Sequence, residues 1–152
     1  MTSIGGGIMV GAGEGKRLAL FGLDITIMAL GEDTGGAYGM WAATFPGSME
    51  QLPTHTHDKM AEAIYVLEGE LAVIVGEESS SLGTGGYLLV PRGVTHSFWN
   101  TASAPAKVLT LASPGGWERN IETLAETLPG LGTPMDMDRL NELLIKCDIL
   151  PA

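Results

Sequence analysis

Cysteine, basic residues and long apolar runs are all scarce in this chain of 152 residues. The single cysteine, Cys147, excludes an intramolecular disulfide, and its place in an apolar repeat predicts a small packed side chain rather than a metal ligand or a nucleophile. Eight basic against eighteen acidic residues give a formal charge of −10, which disfavours nucleic acid and anionic membrane surfaces as partners. No apolar run approaches the length that is needed to span a bilayer.

The first residues, 1–17, lack the basic region and the sustained apolar core of a secretory signal. We therefore expect the protein in the cytoplasm. The glycine-rich stretch 5–15 has G-x-G spacing, but no strand precedes it and no long helix follows it. This context favours a flexible or edge-strand segment over a phosphate-binding loop.

Glycine is abundant instead, and 22 glycines and eight prolines separate short apolar or alternating runs along the chain. Nine such runs precede residue 113, which is typical of an all-β sandwich or barrel rather than of βαβ units. The predicted strands are 8–10, 17–21, 23–30, 37–45, 61–67, 71–75, 87–90, 94–99 and 107–112. Glu68-Gly69 is expected to form the two-residue turn of a hairpin, and the polar segment 77–81 a solvated hairpin loop.

Past Pro114 the apolar side chains recur at helical spacing. They are Trp117, Ile121, Leu124 and Leu128, followed by Leu140, Leu143, Leu144 and Cys147. Thr133-Pro134, with acidic residues at 136 and 138, indicates a helix start. The sequence thus predicts one domain over 1–152, with a barrel at about 17–112 and a helical C-terminal tail at about 116–150. We expect two short helices to pack across the outside of the barrel or against a neighbouring subunit.

The histidines carry the strongest chemical signal, because all three of them and one glutamate form a single pattern. His55 and His57 are two residues apart, so in a strand both side chains project to the same side. Glu62 shares the apolar, even-numbered face of the predicted strand 61–67, and His96 faces inward from the strand 94–99. A lone histidine is usually structural, but three imidazoles and a carboxylate are the ligand set of a catalytic first-row metal.

The spacing of these residues resembles the two sequence motifs of the cupin family. The first motif is matched by His55-Thr56-His57, four residues, Glu62, six residues and Gly69. The second is matched by Gly85, five residues, Pro91, one residue, Gly93, two residues, His96, three residues and Asn100. The flanks 32–41 and 108–121 are similar to those of single-cupin proteins of the quercetin 2,3-dioxygenase-like group.

The resemblance implies a cupin double-stranded β-helix, which is a jelly-roll barrel, with a metal inside its mouth. The expected cofactor is one divalent transition metal ion, Fe, Ni, Mn, Co, Cu or Zn, bound by His55, His57, Glu62 and His96. One or two coordination positions stay open in such a site, and Glu62 is also the candidate catalytic base. Resemblance to other single-cupin chains further implies a homodimer.

The predicted pocket wall indicates the kind of substrate. It is apolar and consists of Ile64, Val66, Phe98 and either Val73 or Ile74, with Met40, Trp41 or Met49 as further candidates. Because few basic residues lie near the expected barrel mouth, a neutral, partly aromatic small molecule with ionisable hydroxyls fits better than a multiply charged anion.

Three functions remain open at this point. The favoured one is a quercetinase-like dioxygenase that acts on an aromatic, polyphenol or polyketide-like molecule through a metal-bound substrate oxyanion. The second is a non-redox cyclase, isomerase or decarboxylase in which a Lewis-acid metal polarises a carbonyl and stabilises an enolate. The third is a non-catalytic protein that binds a small molecule.

Overall fold

A computed structural model describes residues 2–152, which form many short β-strands separated by turns that often contain glycine. The strands are β1 (Thr2–Ile4), β2 (Gly7–Met9), β3 (Lys16–Leu20), β4 (Leu23–Ala29), β5 (Gly39–Phe45), β6 (His55–Thr56), β7 (Ala61–Glu68), β8 (Glu70–Val75), β9 (Glu78–Gly83), β10 (Tyr87–Val90), β11 (His96–Trp99), β12 (Ala106–Ser113) and β13 (Leu150–Pro151). Two helices, α1 (Glu118–Thr127) and α2 (Met137–Lys146), lie between β12 and β13. The predicted all-β, jelly-roll architecture with two short helices is confirmed.

Two antiparallel sheets face each other across the core. One has the strand order β10-β7-β12-β5-β4-β3, and the other has the order β13-β6-β11-β8-β9, while β1 and β2 form a separate hairpin. In β7 the side chains of Ile64 and Val66 are buried between the sheets, whereas Tyr65 and Leu67 on the opposite face are exposed. This alternation is the period-two pattern that the sequence showed, and it fixes which face of each strand points to the site.

The segment 77–81 is not the solvated loop that its polarity indicated. Strand β9 occupies most of it and pairs with β8 from Val75↔Glu78 to Glu70↔Gly83. As an edge strand, β9 is almost entirely exposed, so its polar side chains need not alternate with apolar ones. Backbone pairing with β8 forms the strand, and side-chain polarity carries no signal of that pairing.

The predicted hairpin at Glu68-Gly69 is also wrong, since β7 and β8 belong to different sheets. Gly69 has a φ of +78°, and a Cβ atom there would lie 2.9 Å from the Pro105 carbonyl oxygen. The chain turns a tight corner at this glycine and crosses from one sheet to the other. A hairpin turn and a sheet-to-sheet corner both require a positive φ, so the local sequence does not distinguish them.

The two helices close over the end of the barrel where the histidines lie, rather than packing on its outside as expected. Their apolar faces line a cavity there through Ile121, Leu124, Leu140 and Leu144. Helix α2 begins after Asp136, whose side chain accepts a hydrogen bond from the Arg139 backbone N–H at 3.1 Å. No helix among residues 2–152 combines the length and the apolar character that a membrane crossing requires.

The corner at Gly69 yields a stability prediction. We expect Gly69→Ala to lower the free energy of unfolding by about 1–3 kcal/mol from the left-handed backbone alone, and by more in total because the added Cβ meets the backbone of residues 105 and 106. Gly76→Ala is the matched control, because Gly76 has a φ of +60° but nothing within 4 Å of the Cβ position. Urea unfolding of both variants measures the difference, and equal losses would contradict a close approach at the corner.

Candidate metal centre

Two neighbouring strands of the five-stranded sheet bring the histidines together. His55 lies in β6 and His96 begins β11, and the antiparallel register places these two residues directly opposite each other. His57 follows β6 and faces the same side as His55. The ring centroids are 4.5 Å apart for His55 and His96, 4.9 Å for His55 and His57, and 5.2 Å for His57 and His96.

Each of the three imidazoles is oriented by a backbone carbonyl. The pairs are His55 Nδ1 with Pro53 O at 2.9 Å, His96 Nδ1 with Val94 O at 2.9 Å, and His57 Nδ1 with Asp148 O. A carbonyl can only accept, so each Nδ1 must carry the proton, and in the neutral ring the lone pair is then on Nε2. One nitrogen from each ring lies within 4.8 Å of the other two, which is the spacing that one metal ion can bridge.

Glu62 faces this cluster from β7 in the opposite sheet. Its Oε2 atom lies 3.2 Å from His96 Nε2 and 3.9 Å from His57 Nε2. The contact with His96 has poor hydrogen-bond geometry, and His96 Nε2 is a buried polar atom without a hydrogen-bond partner among the described residues. A buried, unsatisfied nitrogen beside a carboxylate and two further imidazoles fits a metal ion, which would satisfy all four groups.

The pKa values of the three histidines are shifted in different directions by burial and by the Glu62 carboxylate. Burial lowers the pKa of His55 to about 4 and also lowers the pKa of His57, so both rings are neutral at physiological pH. Burial acts in the same direction on His96, but the Glu62 carboxylate outweighs it and raises the pKa of His96. Burial opposes ionisation of Glu62, yet the three nearby imidazoles lower its pKa overall. A proton therefore competes with a metal ion for His96 at a higher pH than for His55 or His57.

An apolar cavity of about 380 Å³ extends from the histidines towards the two helices. Its walls come from the β3–β4 hairpin, the inward face of β5, and the helices α1 and α2. Trp41 and Trp117 stack with ring centroids 5.6 Å apart, and Trp117 also contacts His57 edge-on at 4.8 Å. No lysine or arginine is among the described residues that line the cavity, and Glu62 is the one acidic residue there.

The cavity wall differs in part from the predicted one. Ile64 and Phe98 do line it. Val66 does not, because it is fully buried in the core below. Met40 faces the other side of β5 and lines a separate surface depression, and Met49 forms a β-bridge with Asn100 away from the cavity.

The sequence interpretation missed the contribution of the helices and of Thr110. The alternating burial of β5 places Trp41 inward and Met40 outward, so the parity of the strand selects Trp41 from the predicted alternatives. Thr110 pairs with Trp41 on one side and with Ile64 on the other, which brings its hydroxyl to the cavity floor. The residues of α1 and α2 carried no signal for the site, because an amphipathic helix does not reveal what its apolar face covers.

A double-sheet antiparallel barrel that holds three converging imidazoles under an apolar cavity defines a β-barrel protein with an internal candidate metal site. Residues 43–112, which include all three histidines and Glu62, match the family model of the cupin domain. Residues 43–112 of the chain are therefore a cupin domain.

Two curated proteins are similar to about half of this chain. Quercetin 2,3-dioxygenase of Bacillus subtilis (strain 168) is 35% identical over 88 residues, which are 57% of this chain and 26% of that protein. Protein SchB of Streptomyces halstedii is 33% identical over 81 residues, which are 53% of this chain and 56% of that protein. The chain thus spans only about a quarter to a half of the length of these curated relatives.

Among solved structures, KdgF from Halomonas sp. has a TM-score of 0.65 at 18% identity, over 74% of this chain and 98% of that one. The polyketide cyclase RemF from Streptomyces resistomycificus has a TM-score of 0.61 at 18% identity, over 70% of this chain and 78% of that one. At such low identity these likenesses show the shared fold.

The raised pKa of His96 leads to a prediction about pH. A metal ion must displace the proton from His96, so we expect the apparent metal affinity to fall as the pH drops below the pKa of that ring. In Glu62→Gln the carboxylate that raises this pKa is lost, and burial alone then lowers it. The variant should therefore bind metal more weakly overall but lose affinity only at a lower pH. Calorimetric titrations between about pH 5 and pH 8 measure both effects, and an unchanged pH midpoint in the variant would count against the prediction.

Proposed function

We propose that this cupin is a metal-dependent oxygenase that acts on a neutral aromatic molecule of the polyphenol or polyketide type. The observation that carries the proposal is the convergence of three oriented imidazoles and Glu62 at the floor of an apolar cavity of about 380 Å³. The distant similarity to a quercetin 2,3-dioxygenase supports the reaction class.

The residues that would hold the ion are His55, His57, His96 and Glu62. Imidazole and carboxylate donors accept Fe, Ni, Mn, Co, Cu or Zn, so the donor set fits a divalent transition metal without selecting one. Such an ion, when bound, stabilises a substrate oxyanion and supports chemistry with dioxygen.

Glu62 is placed to act as the base. Its pKa is lowered despite its burial, so the carboxylate is ionised at neutral pH and can accept a proton. It lines the cavity, and its Oε2 atom lies close to the histidine nitrogens. A substrate hydroxyl that enters between Glu62 and the imidazoles would transfer its proton to the carboxylate.

The cavity favours flat, uncharged substrates. The stacked pair Trp41 and Trp117, together with Phe45 and Phe98, offers aromatic surfaces to a ring. A carboxylate or phosphate group on the substrate would be desolvated there without a cationic partner, which costs several kcal/mol. The same apolar walls exclude water from the reacting groups.

A second candidate function uses the same residues without dioxygen. A non-redox cyclase, isomerase or decarboxylase would need a Lewis-acid ion and a base in an apolar cavity, and both the donor set and Glu62 fit this as well. The fold likeness to the polyketide cyclase RemF keeps this candidate in view. A non-catalytic protein that binds a small molecule is the third candidate, and it would leave Glu62 without a chemical role.

Oxygen consumption separates these candidates. With the metal-loaded protein and a flavonol-like polyphenol, we expect oxygen uptake that His55→Ala abolishes by weakening metal binding. Glu62→Gln should lower kcat by about 10²–10⁴-fold, the usual contribution of a positioned base. Product formation under argon would favour the non-redox candidate instead, and binding without turnover in air or argon would favour the third.

The hydroxyl of Thr110 gives a test of substrate chemistry. It is the one hydroxyl among the described residues that line the cavity. We expect Thr110→Val, which keeps the side-chain shape, to weaken the binding of polyphenols by about 1–3 kcal/mol, and to leave the binding of purely apolar aromatics unchanged or improved. Fluorescence titration of the cavity tryptophans measures both affinities. Thr101→Val on the exposed surface is the control, and equal effects on both ligand types would contradict a polar contact at Thr110.

A further inference from the structure

Residues 147–152, here named the clamp segment, contact the backbone from Thr54 to Lys59, which includes His55 and His57. Within the clamp segment, β13 pairs with β6 through Leu150↔Thr56 and Pro151↔His55. The Ala152 N–H donates to the Thr54 carbonyl at 3.4 Å. The backbone around His55 and His57 is therefore held by a segment that lies more than 90 residues away in sequence.

Asp148 makes the contacts of the clamp segment that lie nearest to the metal centre. Its carbonyl oxygen accepts the hydrogen bond from His57 Nδ1. Its carboxylate accepts from the two backbone N–H groups that follow His57, with distances of 3.1 Å to Asp58 N and 3.0 Å to Lys59 N. One residue thus holds both the ring of His57 and the backbone that leaves it.

The backbone of Asp148 is fixed in an uncommon conformation. Its φ is +60°, a left-handed value that aspartate tolerates better than most residues, and the residue is 2% exposed. On the side of the helices, the Cys147 carbonyl accepts from Asn120 Nδ2 at 2.9 Å, and the Asp148 N–H donates to the Ile145 carbonyl at 3.0 Å. Hydrogen bonds to both helices therefore fix the backbone that carries the Asp148 carbonyl.

We propose that Asp148 is a positioning residue of the metal centre, which acts through His57 and does not touch the ion or the substrate. The inference rests on the proposed metal-binding function. The Asp148 carbonyl keeps the proton of His57 on Nδ1, so that the lone pair on Nε2 is available to the ion. The Asp148 carboxylate fixes the backbone of residues 58 and 59, and so keeps the carbonyl and the His57 ring at hydrogen-bonding distance. Backbone and side-chain groups beyond the ligands commonly tune metal sites in this way.

A purely structural role is the alternative, and Glu118 provides the matched comparison. Its carboxylate is also fully buried and also accepts two backbone N–H groups, from Gly31 at 2.6 Å and from Gly116 at 2.8 Å. It makes no hydrogen bond to any of the three histidines. Loss of this carboxylate should destabilise the fold and leave the imidazoles in place.

The test uses Co²⁺ as the probe on the full, metal-free chain. For Asp148→Asn and Asp148→Gly we expect about 10–100-fold weaker Co²⁺ binding, together with a shift of the visible absorption bands of the bound ion. Glycine tolerates the φ of Asp148, so that variant removes the carboxylate and spares the turn. Glu118→Gln should lower the thermal midpoint of the metal-free protein, yet keep the affinity and the spectrum of the unaltered chain.

Two results would overturn the inference. Asp148 variants with unchanged Co²⁺ affinity and spectrum would show a structural role alone, even if they unfold at a lower temperature. A failure of the unaltered chain to bind Co²⁺ would reject the metal centre itself, and with it any residue that positions the centre.

Nuclear magnetic resonance of the unaltered protein is a measurement that needs no variant. The His57 Nδ1 proton should be protected from exchange, and the absence of this protection would contradict the hydrogen bond to Asp148.

Discussion

The site depends on one constraint, namely that three imidazoles must stay neutral, buried and aimed at the same point. Burial alone supplies the neutrality of His55 and His57, because a charge on either ring would lose its hydration. Backbone carbonyls orient the three rings, because each carbonyl fixes the proton on the Nδ1 atom of its histidine. Two of these carbonyls lie two residues before their histidine, while the third is supplied from a distant segment.

Glu62 gives this arrangement its asymmetry. The carboxylate faces the histidines from the opposite sheet and raises the pKa of His96, whereas burial lowers the pKa of His55 and of His57. A low local dielectric strengthens this interaction, because the helices and the aromatic walls keep water away from it. The same separation of sheets leaves the cavity above the site, so the spacing that tunes the carboxylate also makes room for a ligand.

The candidate metal ligands and much of the cavity wall lie in different parts of the chain. The match to the cupin domain covers residues 43–112, which contain the histidines and Glu62. Much of the cavity wall lies outside this range, in the β3–β4 hairpin and in α1 and α2. The family match therefore covers the donor set, whereas much of the surface that a ligand would contact lies outside the matched residues.

The sequence by itself determined most of the longer strands, the inward face of β7, and the grouping of His55, His57, Glu62 and His96, because the period of two and the motif spacing are local properties. It did not determine that β7 and β8 part at Gly69, or that β9 is a strand, because sheet membership is decided by backbone pairing between distant segments. It also gave no sign that Asp148 meets His57. Only the tertiary structure shows that the helices lie over the barrel mouth. An apolar helical face indicates that the face is buried, but it does not indicate which surface covers it.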